Sequence, residues 1–172
     1  HKSIEQGLIQ SGGIPLFFVP TRNRYGIIGP ILPQTLSAEG VKAAIASNPL
    51  VKKGIDPTPV HAIVTNSTYD GLTYNVTRVE ELLGESVDRL HFDEAWYGYA
   101  RFNPLYSGRH AMHGNPADHD KSKPTVFATQ STHKLLAALS QASMIHVRDG
   151  RNPIEHARFN ESYMMHASTS PN

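Results

Sequence analysis

Short apolar runs alternate with amphipathic stretches along this chain, and the alternation predicts strands separated by helices. Lys2 to Gln10 spells a helix that Ser11-Gly12-Gly13 closes, because glycine adopts the left-handed backbone on which helices end. Pro15-Leu16-Phe17-Phe18-Val19 is a compact apolar run beside prolines and predicts a buried strand. Residues 21–36 hold closely spaced Gly and Pro and predict irregular backbone. Ser37 is placed to cap a helix running to about Ser47, with Glu39 in its first turn and Val41, Ala44 and Ile45 on one face.

The same rhythm continues. Val60–Thr65, Arg89–Asp93, Thr125–Thr129 and Ala142–Val147 read as strands. Thr77–Leu83, with Gly84 beyond it, and Glu155–Met165 read as helices, and the polar stretch 104–123 reads as a loop. Strands separated by helices or long crossovers imply an α/β fold, a mostly parallel sheet flanked by helices on both faces. Open sheets of this kind bind ligands outside the carboxyl ends of their strands. That rule puts Asp93, and Ser131-Thr132-His133-Lys134, on the functional edge.

Composition narrows the chemistry. The 172 residues are 39% hydrophobic and 18% charged, which is enough apolar content for a core. A formal charge of +1 removes the electrostatic case for nucleic acid. No apolar run approaches the roughly 20 residues that cross a bilayer, so no membrane partner is expected. The absence of cysteine excludes disulfides, thiolate zinc sites and cysteine nucleophiles, and fits a cytoplasmic, reducing compartment. The chain opens on His1 and not on Met, which suggests a portion of something longer. His110, His113 and His119 lie near Asp118 and Asp120, but their spacing matches no zinc motif, and no metal is expected.

Two residues stand out. Lys134 follows a strand and a small polar turn and precedes Leu135-Leu136-Ala137-Ala138-Leu139. A lysine between apolar stretches is partly desolvated, which disfavours the ammonium and frees the amine as a nucleophile. The alternative is a snorkelling lysine with its stem on apolar surface. Asp93 ends an apolar strand, where a carboxylate needs a cation or else serves as a cap or turn former. Their separation of 41 positions leaves room for one crossover.

The string from Ser131 to Ser143, Ser-Thr-His-Lys-Leu-Leu-Ala-Ala-Leu-Ser-Gln-Ala-Ser, resembles the cofactor-lysine segment of the bacterial ornithine/lysine/arginine decarboxylases that use pyridoxal phosphate. His1-Lys2-Ser3, Thr65 to Gly71, His91 to Trp96 and Tyr163 to His166 agree in order, so the resemblance covers nearly the whole chain. Arg22 to Pro30 and Phe92 to Pro104 are similar to the arginine branch of that family. The resemblance implies an aspartate-aminotransferase-like large domain, of which residues 1–172 are a central part, in a homo-oligomeric enzyme that decarboxylates a basic amino acid.

It also implies roles. Lys134 matches the lysine joined to the cofactor aldehyde, and Asp93 the aspartate facing the pyridine nitrogen. His1 matches the residue stacked on one ring face and Ala95 the small residue on the other. Ser131, His133 and Ser168 match residues near the phosphate, Ser168 reaching it from a neighbouring subunit. Trp96 is either a neighbour of the cofactor or core packing. The residues that read a guanidinium are not identified by the sequence: acids such as Glu94, Asp118 or Asp120 are candidates, and parts outside this chain are the stronger ones. Lysine or ornithine specificity is the alternative within the family, and an inactive scaffold that keeps the fold is the alternative outside it.

Overall fold

The computed structural model describes residues 2–55 and 57–166. Helix α1 (Lys2–Ser11) opens the chain and buries none of its side chains. The turn α2 (Pro33–Leu36) buries Leu36 and leads into α3 (Ala38–Ser47), where the Ser37 hydroxyl accepts from the Gly40 N–H at 3.2 Å. Strand β1 (His61–Thr65) is followed by α4 (Val76–Leu83), which the Asn75 side chain caps and Gly84 closes. Strands β2 (Arg89–Asp93) and β3 (Thr125–Gln130), the short helix α5 (Thr132–Leu135), strand β4 (Met144–Arg148) and helix α6 (His156–His166) complete the order.

The sheet runs β1-β2-β3-β4, with the first three strands parallel and β4 antiparallel to β3. Because side chains alternate along a strand, Val64, Leu90, Phe92, Val126 and Ala128 share one face. There they form the core with Leu36, Val41 and Ile45, and with Val76, Val79 and Leu83 of α4. The opposite face carries His61, His91 and Phe127 in mutual ring contact at 5.9 to 6.5 Å. Phe159 of α6 reaches Phe127 at 6.3 Å, while Ile63 stays 39% exposed. One face is therefore closed and the other covered in part, where the strand pattern implies two covered faces.

At the amino edge a cluster of polar groups is paired. The Thr125 hydroxyl donates to the Asn152 carbonyl at 2.6 Å and accepts from the Gly150 N–H at 3.0 Å. Asn152 donates to Asp88 at 2.6 Å, and the Arg151 guanidinium donates to the carbonyls of Gly84 and Val87.

Two sequence expectations are corrected. Residues 15–19 form no strand: they run as irregular backbone, with Leu16 and Phe18 against the core and Phe17 and Val19 about 80% exposed. Pro15 and Pro20 lack the N–H a ladder needs, and the Pro15 carbonyl is taken by the Asn48 side chain at 2.8 Å. β4 starts at Met144 and not at Ala142, whose carbonyl faces the His133 backbone N–H and ring Nδ1. Residues 104–123 are loop with two single 3₁₀ turns, at Pro104–Tyr106 and Pro116–Asp118, each opened by an asparagine side chain.

Candidate active site

Parallel pairing brings the carboxyl ends of three strands level, with Thr65, Asp93 and Thr129 in register. The segments that leave those ends stay together: Asn66 N–H donates to the Asp93 carbonyl at 3.0 Å, Glu94 N–H to Thr129 at 2.9 Å, and Ser131 N–H to Ala95 at 3.3 Å. Lys134 lies one turn beyond Ser131 on α5, half-buried, with Nζ 5.4 Å from the centroid of the Trp96 ring. That distance is within reach of a cation–π attraction. Tyr69 meets Trp96 edge-on at 4.8 Å.

Beside this pair a cleft of about 440 Å³ is lined by Ser67, Thr68, Tyr69, Trp96, Tyr97 and Leu135, among others. The Ser67 hydroxyl and the Trp96 indole N–H are buried with no hydrogen-bond partner among the described residues. An unsatisfied buried donor costs about 1–3 kcal/mol, so such a pair lining a cleft is a signature of a ligand site.

Asp93 is half-buried at the end of β2, and its Oδ1 accepts from the Ala95 N–H at 3.2 Å. The turn-forming role read from the sequence is thus present, and it presents the carboxylate on the turn that carries Trp96. Lys134 meets the Asp93 turn through that indole. On the same strand face His91 Nε2 lies 3.0 Å from the Thr129 hydroxyl, and burial holds its pKa below the usual histidine value. His133 is exposed, with Nδ1 2.6 Å from the Ala142 carbonyl. A carbonyl only accepts, so the ring proton is on Nδ1. Ser131 begins α5 without a side-chain cap bond, and Ala95 is half-buried between Asp93 and Trp96. His1 and Ser168 lie outside the described residues.

Beneath the cleft runs a buried polar network that the sequence reading did not find. Glu94, fully buried, accepts on Oε1 from Asn66 Nδ2 and from the Ala111 N–H, both at 2.7 Å. Its Oε2 lies 3.2 Å from His110 Nε2 and 3.3 Å from the Gln130 amide. Burial raises the Glu94 pKa and pushes His110 down to about 4. Glu94 is therefore not available to a guanidinium, which corrects one of the three acids offered above. Asp118 sits in a 3₁₀ turn, and Asp120 Oδ1 accepts from the Ser122 N–H at 2.8 Å. Asn66 directly follows a strand, as Ser131 nearly does, and that placement was the one available signal.

The donor set fits the cofactor that the resemblance implies. Pyridoxal phosphate is a flat ring edged with oxygen acceptors, suited to an unpartnered indole N–H and hydroxyl beside an amine.

A family-level match to "Orn/Lys/Arg decarboxylase, major domain" spans residues 1–172. The chain is 59% identical over 171 residues to the biodegradative arginine decarboxylase of Escherichia coli K12, and 53% identical over 172 residues to the lysine decarboxylase LdcA of Pseudomonas aeruginosa. Each alignment covers 99% of this chain and 22% of the relative. The solved lysine decarboxylase A from Pseudomonas aeruginosa superposes with a TM-score of 0.90 over 99% of this chain and 22% of that one. The chain thus spans about a fifth of the length of these relatives. Among the described residues no helix is long and apolar enough to cross a membrane.

Proposed function

We propose a function on one premise: this chain belongs to the Orn/Lys/Arg decarboxylase family. It is a central part of the major domain of a pyridoxal-phosphate-dependent enzyme that converts L-arginine to agmatine and carbon dioxide. The enzyme works in the cytoplasm as a homo-oligomer. The observation that carries the reading is Lys134 Nζ, 5.4 Å from the Trp96 ring at the carboxyl edge of the sheet, beside a cleft with two unpartnered donors. The greater likeness to an arginine decarboxylase than to lysine enzymes supports the substrate. Lysine is the second reading, favoured by the close fit of the backbone to a lysine decarboxylase.

When bound, pyridoxal phosphate supplies the electron sink for the carbanion left as carbon dioxide departs. Lys134 Nζ would hold the cofactor covalently before substrate arrives, and once free it would be placed to return a proton to the reacting carbon. Asp93 holds a proton on the ring nitrogen. Each unit by which it raises that nitrogen's pKa is worth about 1.4 kcal/mol, and two or three units are a reasonable demand. Ala95 would leave space against one ring face, and Ser131 and His133 would meet the phosphate; His1 and Ser168, to which the resemblance gives the other ring face and a further phosphate contact, lie outside the described residues.

The test is borohydride reduction of the full-length enzyme with cofactor, followed by peptide mass mapping and assays on arginine, lysine and ornithine. A reduced adduct on Lys134 and agmatine from arginine are expected. An adduct elsewhere, or none, overturns the assignment.

A further inference from the structure

We infer that Glu94 is a protonated, neutral carboxylic acid in the working enzyme, and that its proton completes the buried network that positions Asp93, Trp96 and Lys134. Only the identity of what is positioned rests on the decarboxylase reading.

The inference follows from counting protons. Asn66 is oriented without ambiguity, because its Oδ1 accepts from the Tyr74 N–H at 3.2 Å and its Nδ2 donates to the Arg109 carbonyl at 2.8 Å. Glu94 Oε1 therefore accepts from two true donors, Asn66 Nδ2 and the Ala111 N–H. His110 is equally constrained. The Met112 N–H donates to its Nδ1 at 3.1 Å, so that nitrogen carries no proton and the ring's single proton is on Nε2. An imidazolium would set N–H against N–H, so the His110–Glu94 contact is not an ion pair.

One terminal atom of Gln130 lies 2.6 Å from His110 Nε2. Two N–H donors do not face each other at that distance, so the amide oxygen belongs there, accepting from Nε2–H. The same oxygen then stands 3.3 Å from Glu94 Oε2. Two bare oxygens, one of them charged, repel in a buried site. A proton on Oε2 turns the contact into a donated bond, and the polar atoms of Glu94 and His110 are then paired with no net charge. Burial favours the same state, raising Glu94 and lowering His110.

The network ties Asn66, which follows β1, Glu94, which follows β2, and Gln130, which ends β3, to the loop at His110–Met112. Glu94 lies between Asp93 and Ala95 in the chain. It touches neither cleft nor cofactor and is a positioning residue.

The experiment is an infrared difference spectrum of the full-length enzyme, wild type minus Glu94→Gln, at pH 7 with and without cofactor. The expected result is a protonated-carboxyl C=O stretch present in wild type and absent from E94Q. E94Q should also rescue what Glu94→Ala loses: E94A weakens cofactor binding at least about 10-fold, and E94Q returns it to within about 3-fold of wild type. A difference spectrum showing carboxylate bands instead, or an E94Q as damaging as E94A, overturns the inference. Should E94A fail to fold, the infrared band and E94Q decide alone. The band needs no cofactor, so a failure of Lys134 to form an adduct sinks the decarboxylase reading and leaves this one standing.

Discussion

The two edges of the sheet are built on opposite terms. At the amino edge Thr125, Asn152 and Asp88 are linked in a chain, Arg151 donates to the Gly84 and Val87 carbonyls, and Gly150 is so tightly placed that an added Cβ would stand 2.1 Å from the Lys123 carbonyl oxygen. At the carboxyl edge the buried layer of Glu94, Asn66, Gln130 and His110 is just as complete, but the layer above it is not. The Ser67 hydroxyl and the Trp96 indole N–H have no partner among the described residues, and Lys134 Nζ lies 5.4 Å from the centroid of that ring. Satisfaction on one edge stabilises the fold. Incompleteness on the other leaves donors and an amine for a ligand.

If the edges divide the labour in this way, substitutions on each should fail differently. The largest effect belongs to Lys134→Ala in the full-length enzyme, which should lower decarboxylation at least about 10³-fold and abolish the borohydride-stable adduct while thermal melting stays near wild type. A melting midpoint that collapses instead would make Lys134 a structural residue. Asp93→Asn should keep the adduct but slow turnover by about 10²- to 10³-fold, two or three units at 1.4 kcal/mol each. Unaltered turnover would remove Asp93 from the chemistry.

The amino edge should show the reverse. Gly150→Ala is expected to destabilise by about 1–3 kcal/mol, read as a lowered melting midpoint, with adduct formation per folded molecule unchanged. The same range, about 1–3 kcal/mol before relaxation, is expected of Thr125→Val, which leaves the Gly150 N–H without its acceptor. Loss of adduct formation in either variant, with melting intact, would blur the division.

The smallest effect is a slope. His110, held at about 4 against an unfolded value of 6.5, lets the unfolded chain take the proton first, so its contribution to stability is lost as pH falls from about 6.5 towards 4. Glu94, raised above 4.5, acts oppositely: its contribution is greatest below 4.5 and is lost as pH rises. The two slopes oppose each other. Glu94→Gln removes the second, so melting of that variant should fall more steeply on acidification than wild type. Arg101, His113 and His146, which also face His110, are the same in both proteins. Parallel profiles would show that Glu94 does not titrate against the fold.

Much of this was legible beforehand wherever the cause is local. The Ser37 cap, the apolar face of α3, and the strands expected at 60–65, 89–93 and 125–129, which the structure places within one residue, follow from spacing. Asp93 and Lys134 were placed on one edge by strand order alone. The run at 15–19 misled because apolar content says nothing about whether a ladder partner exists, and two prolines deny one.

The sequence by itself determined where the four strands of the sheet and the helices that flank it lie, and that an amine and a carboxylate would share the carboxyl edge. These depend on side-chain period and chain order, which are properties of neighbours along the chain. Only the tertiary structure decided that Glu94 is enclosed by partners 17, 28 and 36 residues away, that Lys134 rests on Trp96, and that two donors beside them go unpaired. Hydrogen bonds and desolvation act through space, and their partners are chosen when the strands come into register.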